Sequence, residues 1–252
     1  MDFTNQVVLV TGASRGIGAE IAHQFAAHGA HVAVHYHTNQ AAATAVWQSL
    51  PGDNHITIAA PMQDAAAIAQ AVQQVVDHYG RIDILVNNAG VYEDHPLATT
   101  SYEDWQASWR TILDANLIGV ANICWCVGQQ MIQQDGGRIV NVSSRGAFRG
   151  EPTAPAYGAS KAGLNAMSQS LAQHLAPYNI YVAVVAPGFV ETDMAKEHLA
   201  GESGAAIRRQ SPLNRVATPA EVAYPVLFLA SAGAEWLTGA VLDANGASYL
   251  RT

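Results

Sequence analysis

Short apolar, β-branched runs alternate along the chain with longer Ala- and Gln-rich stretches whose apolar positions recur at helical spacing. The runs at 7–11, 30–36, 55–60, 82–87, 138–143, 180–186 and 240–243 predict strands. Several, such as Val7-Val8-Leu9-Val10, are continuously apolar, which is how a parallel strand covered on both faces reads. The stretches 17–28, 40–50, 65–79, 102–133, 156–176 and 219–231 predict helices. Strand–helix alternation means βαβ units with right-handed crossovers. The expected fold is therefore α/β, a doubly wound parallel sheet of about seven strands with helices on both faces. Nothing in the pattern divides the chain, so residues 1–252 are expected to form a single domain. Only 190–218 lacks a strand or helix pattern over a long stretch; it follows a strand end and is expected to be a mobile cover over a substrate site.

Composition narrows the function classes. Half of the 252 residues are hydrophobic, and the formal net charge is −8. No basic stripe is present to displace counterions, so neither nucleic acid nor an anionic membrane is an expected partner. Cys124 and Cys126 stand two apart in a predicted helix, where side chains do not face each other, and read as small core hydrophobes. The ten histidines show no zinc spacing. His35 and His37, alternating on a strand, are the nearest approach to a metal pair, and no metal is expected. The chain starts without a basic and apolar leader and holds no uninterrupted apolar run of membrane length, so a cytoplasmic location is expected.

A glycine loop, Thr11-Gly12-Ala13-Ser14-Arg15-Gly16-Ile17-Gly18, joins the first strand to the first helix. Gly12 permits the tight exit from the strand, Gly16 a close backbone approach to a pyrophosphate, and Gly18 close packing of the helix. Ser14, Arg15, Gly16 and Ile17 then stand where a helix N-terminus presents free N–H groups to phosphate. A site preferring NAD carries an acid about 20 residues beyond the first glycine. Here Val34-His35-Tyr36-His37-Thr38-Asn39 has none. Arg15, with His37 and Thr38 as further donors, is therefore expected to meet a 2′-phosphate, which makes NADP(H) the expected cofactor.

Tyr157 and Lys161 lie four apart at the start of a predicted helix, on one face. A neighbouring cation lowers a phenol's pKa, so a Tyr157 tuned towards neutrality is expected as the acid/base. Ser144 ends the fifth predicted strand, where parallel sheets present ligand-binding residues.

Together, TGASRGIG at 11–18, DILVNNAG at 83–90, NLIG at 116–119, RIVNVSS at 138–144, YGASK at 157–161, APGFVETDM at 186–194, PLNRVATPAEVA at 212–223 and TGAVLDANG at 238–246 resemble the short-chain dehydrogenase/reductase family. The chain looks most like the branch containing 3-oxoacyl-carrier-protein reductases. The resemblance covers nearly the whole chain and implies a single-domain Rossmann fold. It also implies a catalytic tetrad of Asn116, Ser144, Tyr157 and Lys161. In it Ser144 binds the substrate carbonyl, Tyr157 gives the proton, Lys161 binds the nicotinamide ribose and Asn116 holds a water. It places Asn88, Ala89 and Gly90 on the adenosine side, and Pro187, Gly188, Val190 and Thr192 on the nicotinamide side. Relatives commonly pair the helices at 105–133 and 155–176, which implies a homotetramer or homodimer.

The chain departs from the family where many relatives have Asp-Val beside the adenine. It has Pro61-Met62, which leaves the Met62 backbone as the contact. The segment Arg145 to Pro152 is unusually polar for the substrate side. Relatives acting on acyl carrier protein are expected to hold it with basic residues that here would fall in 132–136 and 171–175, and neither segment contains Lys or Arg. The expected substrate is therefore a small free carbonyl compound or alcohol. A 3-oxoacyl-carrier-protein reductase, or an NADP-sensing regulator without turnover, are the alternatives.

Overall fold

The computed structural model describes residues 1–192, 195 and 199–251; Asp193 and Met194, at the end of the 186–194 motif, and three further residues of the expected cover lie outside them. Seven strands form one sheet: β1 (Val7–Val10), β2 (His31–Tyr36), β3 (Ile56–Ala59), β4 (Ile84–Asn87), β5 (Gly137–Val142), β6 (Ile180–Pro187) and β7 (Val241–Ala244). Their order is β3-β2-β1-β4-β5-β6-β7, and every pair is parallel. The order reverses between β1 and β4, and ligands bind at such a crevice beyond the strands' carboxyl ends.

Helices cover both faces, which is why β1 and β4 are buried at every position. On one face lie α1 (Gly16–Ala27), α2 (Gln40–Ser49) and α9 (Pro219–Ala230), with Ile21, Phe25 and Val226 in one core. On the other, α3 (Ala65–Tyr79), α5 (Gly119–Gln133) and α7 (Pro155–Leu175) contribute Ile68, Val120, Val127 and Leu164 to a second. Helix α4 (Tyr102–Leu113) runs into α5 through a π-helical turn, Asp114–Ile118. The Tyr102–Gln133 run contains a window apolar enough for a membrane span, but half of that window is buried inside the fold. Cys124 is buried and accepts a hydrogen bond from Asn87 at 3.2 Å, in keeping with its reading as a core residue.

Two short helices, α6 (Gly146–Arg149) and α8 (Gly201–Arg209), fall where the pattern predicts none. Helix α8 lies inside the expected cover. Gly201 and Gly204 each cost about 1 kcal/mol of helix propensity relative to Ala, so no helical signal shows. The local turn itself requires one of these glycines: a Cβ on Gly204 would run into the Leu199 carbonyl. The two ends of the cover are joined to each other, Val190 forming a parallel bridge with Ala217.

Candidate active site

The glycine loop is held in place by a histidine. His35 on β2 is buried, and its Nδ1 accepts the Gly12 N–H at 3.1 Å while Nε2 meets the Ala60 carbonyl at 2.9 Å. These partners fix the tautomer with the proton on Nε2. The His35 carbonyl also accepts the Ala13 N–H at 2.8 Å. Burial pulls the imidazole down to about 4, so it is neutral near pH 7. Both ring nitrogens are occupied, so His35 is no half of a metal pair. The spacing of His35 and His37 gave no sign of a bond to a loop 23 residues earlier.

Asn88 acts on the same loop. Its Nδ2 donates to the carbonyls of Thr11 at 3.0 Å and Gly12 at 3.2 Å, and the Thr11 hydroxyl accepts the N–H groups of Asn88 and Ala89, each at 3.0 Å. The Asn88 amide thus supports the loop's backbone, a role the resemblance did not imply. Gly12 has φ +63°, and a Cβ there would lie 2.9 Å from the Ala89 Cα. A Cβ on Gly18 would strike the Gly12 carbonyl, so this glycine is needed for close packing.

The residues fit a dinucleotide. The backbone at Gly16 is open, a Cβ there coming no closer than 3.4 Å to the Thr192 methyl group, and φ +56° favours glycine. Helix α1 carries no side-chain cap and no acid in its first turn, so its leading N–H groups and positive dipole end remain for phosphate. Arg15 is exposed beside this end, and His37 and Thr38 are exposed just beyond β2. On the far side of the crevice Val190 is buried while Thr192 faces Gly16. Met62 is buried, with its carbonyl turned against Gly119 so closely that a Cβ there would clash. That carbonyl packs on α5.

Around β5 the four expected catalytic residues converge. Ser144 follows the strand; its Oγ accepts the Gly146 N–H at 3.0 Å, and it lies near enough to the Tyr157 phenol to favour the ionised form. Lys161, one turn along α7, is buried with Nζ 5.7 Å from the Tyr157 ring centroid and donates to the Val142 carbonyl at 2.9 Å. Asn116 lies in the π-helical turn, fully buried. Its Oδ1 accepts the Val91 N–H at 2.8 Å, and its Nδ2 donates to the Val91 carbonyl at 2.9 Å and Ser160 Oγ at 3.3 Å. Gly90 admits this cluster: a Cβ would lie 3.3 Å from Asn116 Oδ1 and 3.5 Å from Lys161 Nζ.

The expected lowering of the Tyr157 pKa is not what this geometry produces. Burial pushes the phenol up to about 12, against the lowering effect of Ser144. Burial also pulls Lys161 down to about 8, and its ammonium is engaged by a carbonyl rather than the phenol. Tyr157 is therefore protonated near neutrality, the form required of a proton donor.

The mouth is aromatic and charged. Tyr92 packs edge-on against Tyr157 at 5.0 Å and donates to Asp94, which also accepts from Thr153. Arg145, next to Ser144, is buried, stacks 5.0 Å over Phe189 and donates to Gln210 Oε1 at 2.6 Å. Arg149 donates to the same oxygen at 3.1 Å. Gln210 follows α8, so the cover is fastened to the loop after Ser144. Glu151 lies beneath, its carboxyl raised by burial and opposed by Arg149 and Arg145.

The segments 132–136 and 171–175 do not flank this mouth. The first precedes the amino end of β5, whereas Ser144 follows its carboxyl end. The second closes α7, which begins beside Tyr157. At about 1.5 Å per helical residue, the two ends of that helix are on the order of 25 Å apart. The missing basic residues there leave the surface beside this chain's own site undescribed.

The profile of a family described as short chain dehydrogenase matches residues 6–203. The chain is 38% identical over 250 residues to the 3-oxoacyl-[acyl-carrier-protein] reductase FabG of Escherichia coli, covering 99% of this chain and 100% of that protein. It is 39% identical over 246 residues to the 3-oxoacyl-[acyl-carrier-protein] reductase of Synechocystis, covering 96% of each. Among solved structures, a dehydrogenase/reductase from Sinorhizobium meliloti superposes with a TM-score of 0.91 at 33% identity, over 99% of this chain and 97% of that one.

Proposed function

We propose NADP(H) as the cofactor, and a small carbonyl compound or its alcohol as the substrate, of this chain, which belongs to the short-chain dehydrogenase/reductase family and is an oxidoreductase of carbonyl and hydroxyl groups. The observation that carries the reading is the meeting of Ser144, Tyr157 and Lys161 beyond β5, next to the uncapped helix end at the glycine loop. A nicotinamide bound between that loop and residues 187–192 supplies or accepts the hydride. Ser144 holds the substrate oxygen, and Tyr157 gives it a proton in the reductive direction. The nearby Lys161 ammonium stabilises the tyrosinate left by that transfer until a proton returns from solvent, and it would hold the cofactor's ribose, while Asn116 keeps the Val91 loop in register. Arg15, His37 and Thr38 contact the 2′-phosphate, and Gly12, Ser14, Gly16 and Ile17 the pyrophosphate. The Gln210 contact to Arg145 supports 190–218 as a substrate cover. A homotetramer belongs to the same reading, supported by the exposed Tyr102, Ile118 and Trp125 on α4–α5.

The relatives favour a second substrate reading, a 3-oxoacyl group on acyl carrier protein, because those named are reductases of that substrate. With 132–136 and 171–175 remote from the site of the same chain, the charge argument for a free carbonyl rests on the net charge of −8. The deciding experiment measures NADPH oxidation with small ketones, keto esters and 3-oxoacyl-carrier protein. In parallel, Tyr157→Phe is expected to keep cofactor binding and lose about 10²–10⁴-fold in kcat. A variant that keeps more than about a tenth of the wild-type kcat, with chemistry rate-limiting, ends the Tyr157 assignment.

A further inference from the structure

Two carboxylates stand at the mouth of the site, and they are partnered differently. Asp94 accepts from the Tyr92 phenol at 3.0 Å and from the Thr153 hydroxyl at 2.6 Å. The Glu151 carboxylate accepts no hydrogen bond among the described residues. Arg145 and Arg149 attract it from beyond ion-pair distance, and both donate instead to Gln210 Oε1. Glu151 is half-buried, and burial raises it above the ordinary carboxylate value.

Its side chain lies against the groups that act on a substrate oxygen. A Cβ on Gly146 would run into Glu151 Oε1 and come within 3.0 Å of its Cδ, so the carboxylate rests on the Gly146 α-carbon. The N–H of the same Gly146 donates to Ser144 Oγ at 3.0 Å. The first turn of α7 packs on the Glu151 backbone: a Cβ on Gly158, next to Tyr157, would come 3.5 Å from the Glu151 nitrogen. The charge of Glu151 reaches both phenols, opposing the ionisation of Tyr157 and of Tyr92. Glu151 is thus joined to Ser144 and Tyr157 through space.

An ionised carboxylate only accepts hydrogen bonds. A ligand that closes over one displaces its water and must offer a donor in return, or it leaves a buried acceptor unmet. An ammonium is poorly matched to this mouth, because Arg145 and Arg149 offset the charges of Glu151 and Asp94. A neutral hydroxyl donates without adding charge. We propose that Glu151 is a specificity-determining residue that accepts a hydrogen bond from a substrate hydroxyl, and that the compound reduced beside Tyr157 is a hydroxylated ketone. The inference rests on the hydride-transfer reading of Ser144 and Tyr157. It separates this chain from an enzyme of 3-oxoacyl thioesters, whose oxoacyl group offers no such donor.

The test compares kcat/KM, at saturating NADPH, for hydroxyacetone, 1-hydroxybutan-2-one and 4-hydroxybutan-2-one with their methyl ethers. The ethers keep the electron withdrawal of the oxygen and lack the donor. At least one hydroxyketone is expected to exceed its ether by about tenfold or more, as a hydrogen bond to a charged acceptor implies. Glu151→Ala is expected to lower that ratio by about 10- to 100-fold. Glu151→Gln keeps an acceptor without the charge and should lower it by about threefold to tenfold. A purely structural role would slow both substrates alike and leave the ratio where it was. If Glu151→Ala does not fold, as judged by melting temperature and NADPH binding, Glu151→Gln decides. Parity of hydroxyketone and ether in the wild type, or an unchanged ratio in the variants that fold, overturns the assignment of Glu151. Turnover that survives Tyr157→Phe overturns the underlying reading instead.

Discussion

Arg15 is the residue on which cofactor choice is expected to turn. It stands exposed at the uncapped start of α1, and no acid occupies the end of β2 to bind a ribose 2′-hydroxyl. A charge-assisted bond to phosphate contributes roughly 1.5–3 kcal/mol, or about 10- to 100-fold in binding. Arg15→Ala should therefore weaken NADPH by about that factor and leave NADH nearly unchanged, read as Kd by fluorescence titration. Equal losses for both cofactors, or a wild type that uses NADH as well as NADPH in kcat/KM, would move the 2′-phosphate contact away from Arg15.

Between elements, His35 is the bracket that joins the β1 loop to β2 and to the residue after β3. His55 does a similar job nearer the sheet edge, accepting the Val32 N–H at 3.0 Å. For His35 the folded pKa, about 4, lies below the usual 6.5, so the unfolded chain binds the extra proton first. Its contribution is fully present above about pH 6.5 and is lost as pH falls through about 4. The size of that loss is about 3 kcal/mol. His35→Gln should cost about 1–3 kcal/mol at pH 7, from unmet hydrogen bonds in a buried place. It should also flatten the decline in denaturant stability between pH 6.5 and 4 by a similar amount. A variant whose pH profile runs parallel to the wild type would show that His35 does not titrate in this window.

At the scale of the whole molecule, net charge bears on partners rather than on fold. A chain of −8 repels an acidic carrier protein at long range, so recognition of one would have to come from a local basic surface. If carrier protein is the substrate, kcat/KM for 3-oxoacyl-carrier protein should exceed that of a matched small thioester by a large factor. It should also fall at least severalfold between about 50 and 300 mM salt, as screening shortens the reach of that surface. If the substrate is a free carbonyl compound, the small compound should win and the salt effect should stay below about threefold, since no charged protein surface has to be met.

The architecture was legible because its signals are local. Continuous apolar runs mark doubly covered strands, and turn glycines and the Tyr157–Lys161 spacing are readable within a few residues. All seven strands and the six long helical stretches stand within a few residues of where the pattern puts them. Helix α8 escaped because two glycines weaken its own propensity, and α6 because a single turn has no periodicity to read. The rest depended on groups brought together from far apart in sequence. His35 reaches Gly12, Asn116 reaches Val91, and Gln210 reaches Arg145 only after the crossovers have closed. The Tyr157 pKa belongs to this second kind: spacing put a lysine one turn from the phenol, but its ammonium went to the Val142 carbonyl and burial raised the phenol. So does the distance of 132–136 and 171–175 from the site, since a strand and a helix that end or begin beside Ser144 and Tyr157 carry their other ends towards the amino ends of the strands. Sequence determined which residues have the right chemistry and which elements carry them. Tertiary structure alone decided their partners, because desolvation and hydrogen-bond geometry are properties of the packed chain.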